Sequence, residues 1–420
     1  MLRFIIAIFL LTNLSAYSSE IEIETTTMGI VKVPIGVVPF TPAGDTVPTL
    51  EGQKPWSVIA SDLRYSRRFL VKRGKPGGRE DFNKDSISVI VTGEYSFTRG
   101  KVILDCWLHN YSENSMDLII GKRYRVSPAN LDAAAHRFSD EIIYAMFGEK
   151  GIASTRIAFV RKTGADGKDI FVMDYNGKNQ TRITNTARLA LFPCWGRGNG
   201  TIYYTSDRYG KFDLWKTDIF TGKTSRIAAT GNMTISPDWN GVENMLVACV
   251  AVKGNSEIYI MEDGGGDLKR LTFRYSLESS PSWAPGGYEI AYTSDRSGSP
   301  QIYIMDIEGT GTRRLTRRGN YNDAAVWSPN GDRIAYMSQD PSGFNIYTCA
   351  PDGSDTRQLT SDAGDNEEPS WSPDGRHLVF TSTREGGRDV FLMDRDGSNV
   401  IRLTKTGNCY SPAWSGFMDK

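Results

Sequence analysis

Pro369-Ser370-Trp371-Ser372-Pro373-Asp374-Gly375, then Leu378-Val379-Phe380-Thr381-Ser382-Thr383-Arg384 and Asp389-Val390-Phe391-Leu392-Met393-Asp394, form one copy of a unit that recurs down the chain. Trp195, Trp239, Trp283, Trp327 and Trp371 are each 44 residues apart, and Trp414 follows after 43. Ile183, Ile227, Leu271, Leu315, Leu359 and Leu403 keep the same 44-residue period. Two columns in one phase establish an internal repeat.

Asp374-Gly375 and Asp396-Gly397 supply the positive φ of tight hairpin turns. The runs between turns are rich in Val, Ile, Tyr and Phe and read as short antiparallel strands. Four strands in about 40–45 residues make a propeller blade, so six tryptophans predict six blades. The repeats open at Arg156-Ile157-Ala158-Phe159-Val160, a second strand lacking its tryptophan strand, and close on Ser411-Pro412-Ala413-Trp414. The last strand is therefore expected to complete the first blade and close the ring, leaving no open sheet edge. The tryptophans read as a packing register rather than a stacking platform, each with its N–H satisfied. Asp174, Asp218, Glu262, Asp306 and Asp394 read as caps of their own turns.

The region before the repeats differs. Residues 31–40 alternate like a strand; residues 53–69 place Trp56, Ile59, Ala60 and Leu63 at helical spacing. Residues 88–96 and 101–109 read as strands around Arg99-Gly100, and 131–147 as an amphipathic helix with Phe138, Ile142, Ala145 and Met146 on one face. The fold class is an α+β N-terminal domain, residues 20–150, followed by an all-β six-bladed propeller, residues 151–420, with a linker near 148–152.

The 420 residues hold 49 basic and 49 acidic side chains, so no global field favours nucleic acid or an anionic membrane. A local basic run from Arg64 to Arg79 reads as solvated surface. Met1-Leu2-Arg3, the apolar residues 4–11 and small residues at Ser15, Ala16, Ser18 and Ser19 read as an export signal over 1–19, cleaved near Ser18 or Ser19. An apolar core of eight residues cannot cross a bilayer, which takes about 20. Cys106, Cys194, Cys249, Cys349 and Cys409 lack paired spacing and read as small buried hydrophobes. If any disulfide forms, Cys194 with Cys409 is the pair to test.

Catalytic signals are sparse. His109, His136 and His377 match no metal spacing, and no nucleophile elbow or phosphate loop occurs. No catalytic residue, metal or cofactor is expected. Glu367-Glu368 reads as solvated surface rather than an acid–base pair. A rigid ring with repeated loops favours a binding scaffold. Two loop sets leave one face of the ring: those before the tryptophan strands, and those after the second strands. The recurring Ser206-Asp207-Arg208 and Ser294-Asp295-Arg296 read as turns with an inter-blade ion pair; Val250-Ala251-Val252 and Ser338-Gln339-Asp340 depart from them.

Export signal, small mixed domain and six blades together resemble the TolB family of Tol-Pal cell-envelope systems. The resemblance is carried by Pro34-Ile35-Gly36-Val37-Val38-Pro39-Phe40, Ile59-Ala60-Ser61-Asp62-Leu63-Arg64 and His136-Arg137-Phe138-Ser139-Asp140-Glu141-Ile142, besides the blade motifs. Gly151-Ile152-Ala153-Ser154-Thr155-Arg156 resembles that family's domain junction and Pro412-Ala413-Trp414-Ser415 its closing strand.

The resemblance implies a non-enzymatic periplasmic adaptor that serves outer-membrane integrity and cell division, expected to be a monomer in isolation. It implies a TolA-like inner-membrane partner at Glu20, Ile21, Glu22, Ile23 and Glu24, whose alternation suits strand addition as well as an edge strand of the chain's own domain. It also implies a Pal-like, peptidoglycan-associated lipoprotein on the propeller face at Thr234, Ser236, Ser279 and Ser280. Glu278, Asp323, Glu367 and Glu368 join these as candidates from equivalent loop positions. An exported peptidase- or glycosidase-like propeller, or a glycan-binding one, is the alternative; the latter would use loop aromatics such as Tyr275, Tyr321 and Tyr410.

Overall fold

The computed structural model describes residues 32–418 apart from 45, 46, 48, 49, 51, 76–81, 83–86, 113, 114, 187 and 229–232. The export signal and Glu20 to Glu24 lie outside the described residues. The chain divides into two compact units, 1–138 and 139–420.

In the first unit a sheet runs in the order β3 (Phe69–Arg73), β1 (Val33–Val37), β4 (Val89–Thr98), β5 (Lys101–Tyr111), β6 (Met116–Val126), with β2 (Thr41–Pro42) pairing on β4. β1 lies parallel to both neighbours, while β4, β5 and β6 form an antiparallel meander. Arg99 and Gly100 both take positive φ at the β4–β5 turn. Helix α1 (Pro55–Tyr65) starts with a proline at its first turn and buries Val58, Ile59 and Leu63. Sequence patterning missed β3 and β6. β3 lies inside the basic run and carries its Lys72 and Arg73, and β6 is an edge strand whose exposed residues break the alternation.

The division falls inside α2 (Leu131–Phe147). Its buried stripe is Leu131, Ala134, Ala135, Phe138 and Ile142. The expected stripe was displaced toward the C-terminus, because Ala145 is exposed and Met146 only half-buried. Asp140 on this helix accepts the backbone N–H groups of Ala153 and Ser154 at 2.8 and 2.9 Å. That clamp leads directly into the ring.

The second unit holds six four-stranded antiparallel sheets. Their inner strands are Ala190–Trp195, Met233–Asn240, Glu278–Trp283, Asn322–Trp327, Asn366–Trp371 and Cys409–Trp414. The last of these pairs with Arg156–Thr163, Trp414 opposite Ile157, so the C-terminus completes the first blade. Five of the tryptophans are under 9 % exposed, and half-buried Trp239 stacks on Tyr203 at 5.4 Å. Their N–H groups are satisfied unevenly. Those of Trp195, Trp371 and Trp414 donate to Ala413 O, Val326 O and Thr155 Oγ1. Those of Trp283 and Trp327 have no partner among the described residues.

A second repeated device sits at the outer strands. Asp389 accepts from the Thr404 hydroxyl at 2.6 Å, the Thr406 and Gly407 amides at 3.1 and 3.0 Å, and Arg402 at 2.6 Å. Asp169 repeats the pattern with Thr184, Thr186 and Arg182. The Thr hydroxyl accepts in turn from the third strand, as from Val390 N–H at 2.9 Å. Each latch thus satisfies a buried carboxylate and ties the fourth strand to its blade.

Candidate partner-docking face

Strands run from the channel outward, so the loop entering each inner strand and the hairpin joining the two middle strands emerge at the same end. The candidate residues fall into three columns of the repeat, and each column has its own environment.

The column five residues before the tryptophan comprises Ala190, Thr234, Glu278, Asn322, Asn366 and Cys409, all buried. Thr234 and Glu278, expected among the contacts, therefore have no side-chain surface to offer. Glu278 Oε1 accepts from Ser276 at 2.5 Å and from Ser294 and Arg296 at 3.1 Å. Burial pushes the Glu278 carboxyl up despite these donors.

The next column holds half-buried Ser279, Asp323 and Glu367. Asp323 accepts from Thr293 of the preceding blade and from the amide of Ala324, both at 2.7 Å. Glu367 pairs with Arg388; burial raises its pKa, opposed by that arginine.

The third column is conformationally strained. Phe192, Ser236, Ser280, Ala324, Glu368 and Ser411 all take φ between 45° and 55°. Each lies in a β-bulge that shifts the pairing of the inner strand. Non-glycine residues in this region carry a cost and persist where their surroundings over-determine them. Here the surroundings are repeated six times around a central channel of 1130 Å³ that all six residues line. Ser236 N–H is held by Thr205 Oγ1 of the neighbouring blade at 3.2 Å. Glu368 accepts both the amide and the hydroxyl of Ser411 at 2.7 Å, linking its blade to the closing one.

The Ser-Asp-Arg turns act within blades, not between them. Arg296 donates to Ser294 Oγ at 2.8 Å and to Glu278 of the same sheet, and lies over Tyr292 and Tyr303. Arg384 does the same with Ser382 and Asn366. Where the arginine is missing, the hairpin lengthens instead: Val252 pairs with Asn255 and Asp340 with Gly343.

The remaining candidates are placed plainly. Asp218 and Asp306 cap their own turns, accepting N–H groups of Thr221 and Thr310 at 2.7 Å. All five cysteines are free and buried; Cys194 Sγ lies 3.5 Å from Asp238 and Cys409 Sγ 3.1 Å from Thr406, so the suggested disulfide is not formed. His136 bonds Asp62 at 2.8 Å, and His109 bonds Thr92 at 3.2 Å. Among the described residues no three His, Cys, Asp or Glu side chains are placed to hold a metal. Tyr321 packs edge-on against Phe344, and Tyr410 lies beneath Lys168. Tyr275 stands fully exposed.

The sequence of this ring matches a known family. The model of the TolB beta propeller domain matches residues 144–418, more than half of the chain. The chain belongs to the TolB propeller family. A Tol-Pal system protein TolB of Desulfosudis oleivorans is 31 % identical over 235 residues, covering 52 % of this chain and 53 % of that protein. Its counterpart in Polaromonas naphthalenivorans is 30 % identical over 224 residues, covering 52 % and 51 %. The chain thus spans about half the length of these curated relatives. The crystal structure of TolB from Acinetobacter baumannii superposes with a TM-score of 0.77 at 24 % identity, covering 92 % of this chain and 97 % of that one. At that identity the likeness bears on the fold alone. It extends through both units of this TolB-family chain.

Proposed function

We propose that this chain is a non-enzymatic periplasmic adaptor of a Tol-Pal system, linking an outer-membrane Pal-like lipoprotein to an inner-membrane TolA-like protein. In that role it would serve outer-membrane integrity and cell division. Membership of the TolB propeller family, with relatives named for the Tol-Pal system, is the observation that carries this reading. The ring supports it physically. Ser236, Ser279, Ser280, Asp323, Glu367 and Glu368 lie on one preorganised face, which lowers the ordering cost of docking a partner there. Glu278 holds its loop from beneath through Ser276, and Thr234 is buried under its own. Residues 20–24 remain the proposed TolA-like contact, by strand addition.

The acidic pair that an enzymatic reading would use is already engaged, Glu367 by Arg388 and Glu368 by Thr381 and Ser411. The test is a pull-down of the exported protein against envelope proteins, repeated after deleting residues 20–27. Retention of the lipoprotein with loss of the TolA-like partner is expected. Capture of neither partner by the intact protein would refute the adaptor.

A further inference from the structure

The loop entering the Trp283 strand presents a cluster of exposed apolar side chains. Phe273, Tyr275 and Leu277 are 72 %, 106 % and 55 % exposed, while Ser276 between them is buried. Three apolar side chains thus stand exposed within five residues, with exposed Arg274 among them. The loop is not slack. Asn255 Nδ2 donates to Arg274 O at 2.7 Å, Arg274 N–H to Glu257 at 3.2 Å, and Leu277 N–H to Asp295 at 2.9 Å. The Arg270 guanidinium lies 4.6 Å from the Phe273 ring centroid. Val252, paired with Asn255 on the hairpin that bonds this loop, is exposed as well.

Clustered exposed apolar side chains mark interaction sites, and tyrosine is enriched where binding energy concentrates. The rim has a sign. Arg274 in the loop itself and Lys253 on the hairpin that Asn255 ties to it are both exposed. The acids beside them are turned inward, Glu257 to Arg270 and Asp295 to the loop backbone. Asn255 and Glu257 beside the crest bond each other and the loop.

We propose that Tyr275, flanked by Phe273 and Leu277, anchors the Pal-like lipoprotein by entering an apolar groove rimmed with carboxylates on that partner. This rests on reading the face as the lipoprotein's docking site. Arg274 and Lys253 meet the acidic rim and fix the orientation.

The test is calorimetric titration of the lipoprotein's periplasmic domain into the full exported protein. Tyr275→Ala is expected to weaken binding by about 30-fold or more. Arg274→Glu is expected to weaken it by about tenfold, most strongly at low salt. Tyr288→Ala, at an exposed tyrosine on the opposite end of the same blade, stays within about twofold of the unsubstituted protein. Unchanged melting temperatures confirm that all three variants fold. If Tyr275→Ala binds as tightly as the unsubstituted protein, the anchor is refuted and the docking reading stands. If the unsubstituted protein fails to bind, both fall. If Tyr275→Ala loses affinity for soluble peptidoglycan fragments while keeping the lipoprotein, a glycan replaces the protein as the ligand of this crest.

Discussion

The indole N–H of Trp195 donates to the carbonyl oxygen of Ala413 at 2.9 Å, joining inner strands 218 residues apart in sequence. Trp414 completes the closure from the other side, donating to Thr155 Oγ1 at 2.8 Å. The tryptophan register therefore does more than fill each blade: at the seam it fastens the last strand to both neighbours. Trp414→Ala is expected to cost about 3–5 kcal/mol in urea unfolding. Trp414→Phe, which keeps most of the packing but loses the N–H, should cost about 1–2 kcal/mol. A Trp414→Phe variant as stable as the unsubstituted protein would mean that the hydrogen bond contributes nothing, and equal losses in the two variants would mean that the packing adds nothing beyond it.

The outer latch gives a loss of similar size. Asp389→Ala leaves the Thr404 hydroxyl and the Thr406 and Gly407 amides without their acceptor in a buried setting, while Arg402 keeps Glu385 and Thr404 O. A cost of about 3–5 kcal/mol is expected. Faster amide exchange at residues 401–404 should localise the damage to the fourth strand.

Two buried carboxyls predict opposite pH dependences. Burial alone would raise the Asp169 pKa, but bonds from Thr163, Thr184, Thr186 and Arg182 outweigh it and hold the carboxyl below its ordinary value. Its stabilisation is present above the unfolded pKa of about 3.9 and is lost as pH falls through the folded value. Asp169→Asn should therefore flatten the acid limb of the stability curve. Glu278 is the reverse case: burial raises its folded pKa, so its contribution is lost as pH rises through that raised value. Glu278→Gln should remove this loss above the ordinary glutamate pKa of about 4.3 while keeping the Oε1 acceptor. Identical pH profiles for the two variants would contradict the assignment.

The ring and its closure were legible because tryptophan and leucine columns report on packing that every blade repeats. The docking columns were legible only in position. Glu278 sits among exposed residues in sequence, yet its column is buried in all six blades. The small or amide residues at Ala190, Thr234, Asn322 and Asn366 carried that signal. The bulges left no mark, since serine, alanine, phenylalanine and glutamate all occupy the same left-handed position. There the tertiary fold overrides local preference. β3 stayed hidden because its lysine and arginine resembled a solvated run, although they belong to an edge strand.

That override is testable at Ala324, which holds φ of 53°. Ala324→Val places a β-branched side chain in the left-handed region and should cost about 1–3 kcal/mol. Ala324→Gly should be close to neutral, relief of strain offsetting the added freedom of the unfolded chain. A valine variant as stable as the glycine one would mean that the bulge is not held.

The central claim is that two partners are held at separate places on one chain, and calorimetry on paired variants tests it most directly. Deleting residues 20–27 should abolish binding of the TolA-like domain and leave the Pal-like lipoprotein's affinity unchanged. Ser279→Arg, on the propeller face, should do the opposite. Loss of both partners in either variant, or of neither in both, would contradict an adaptor with two distinct sites.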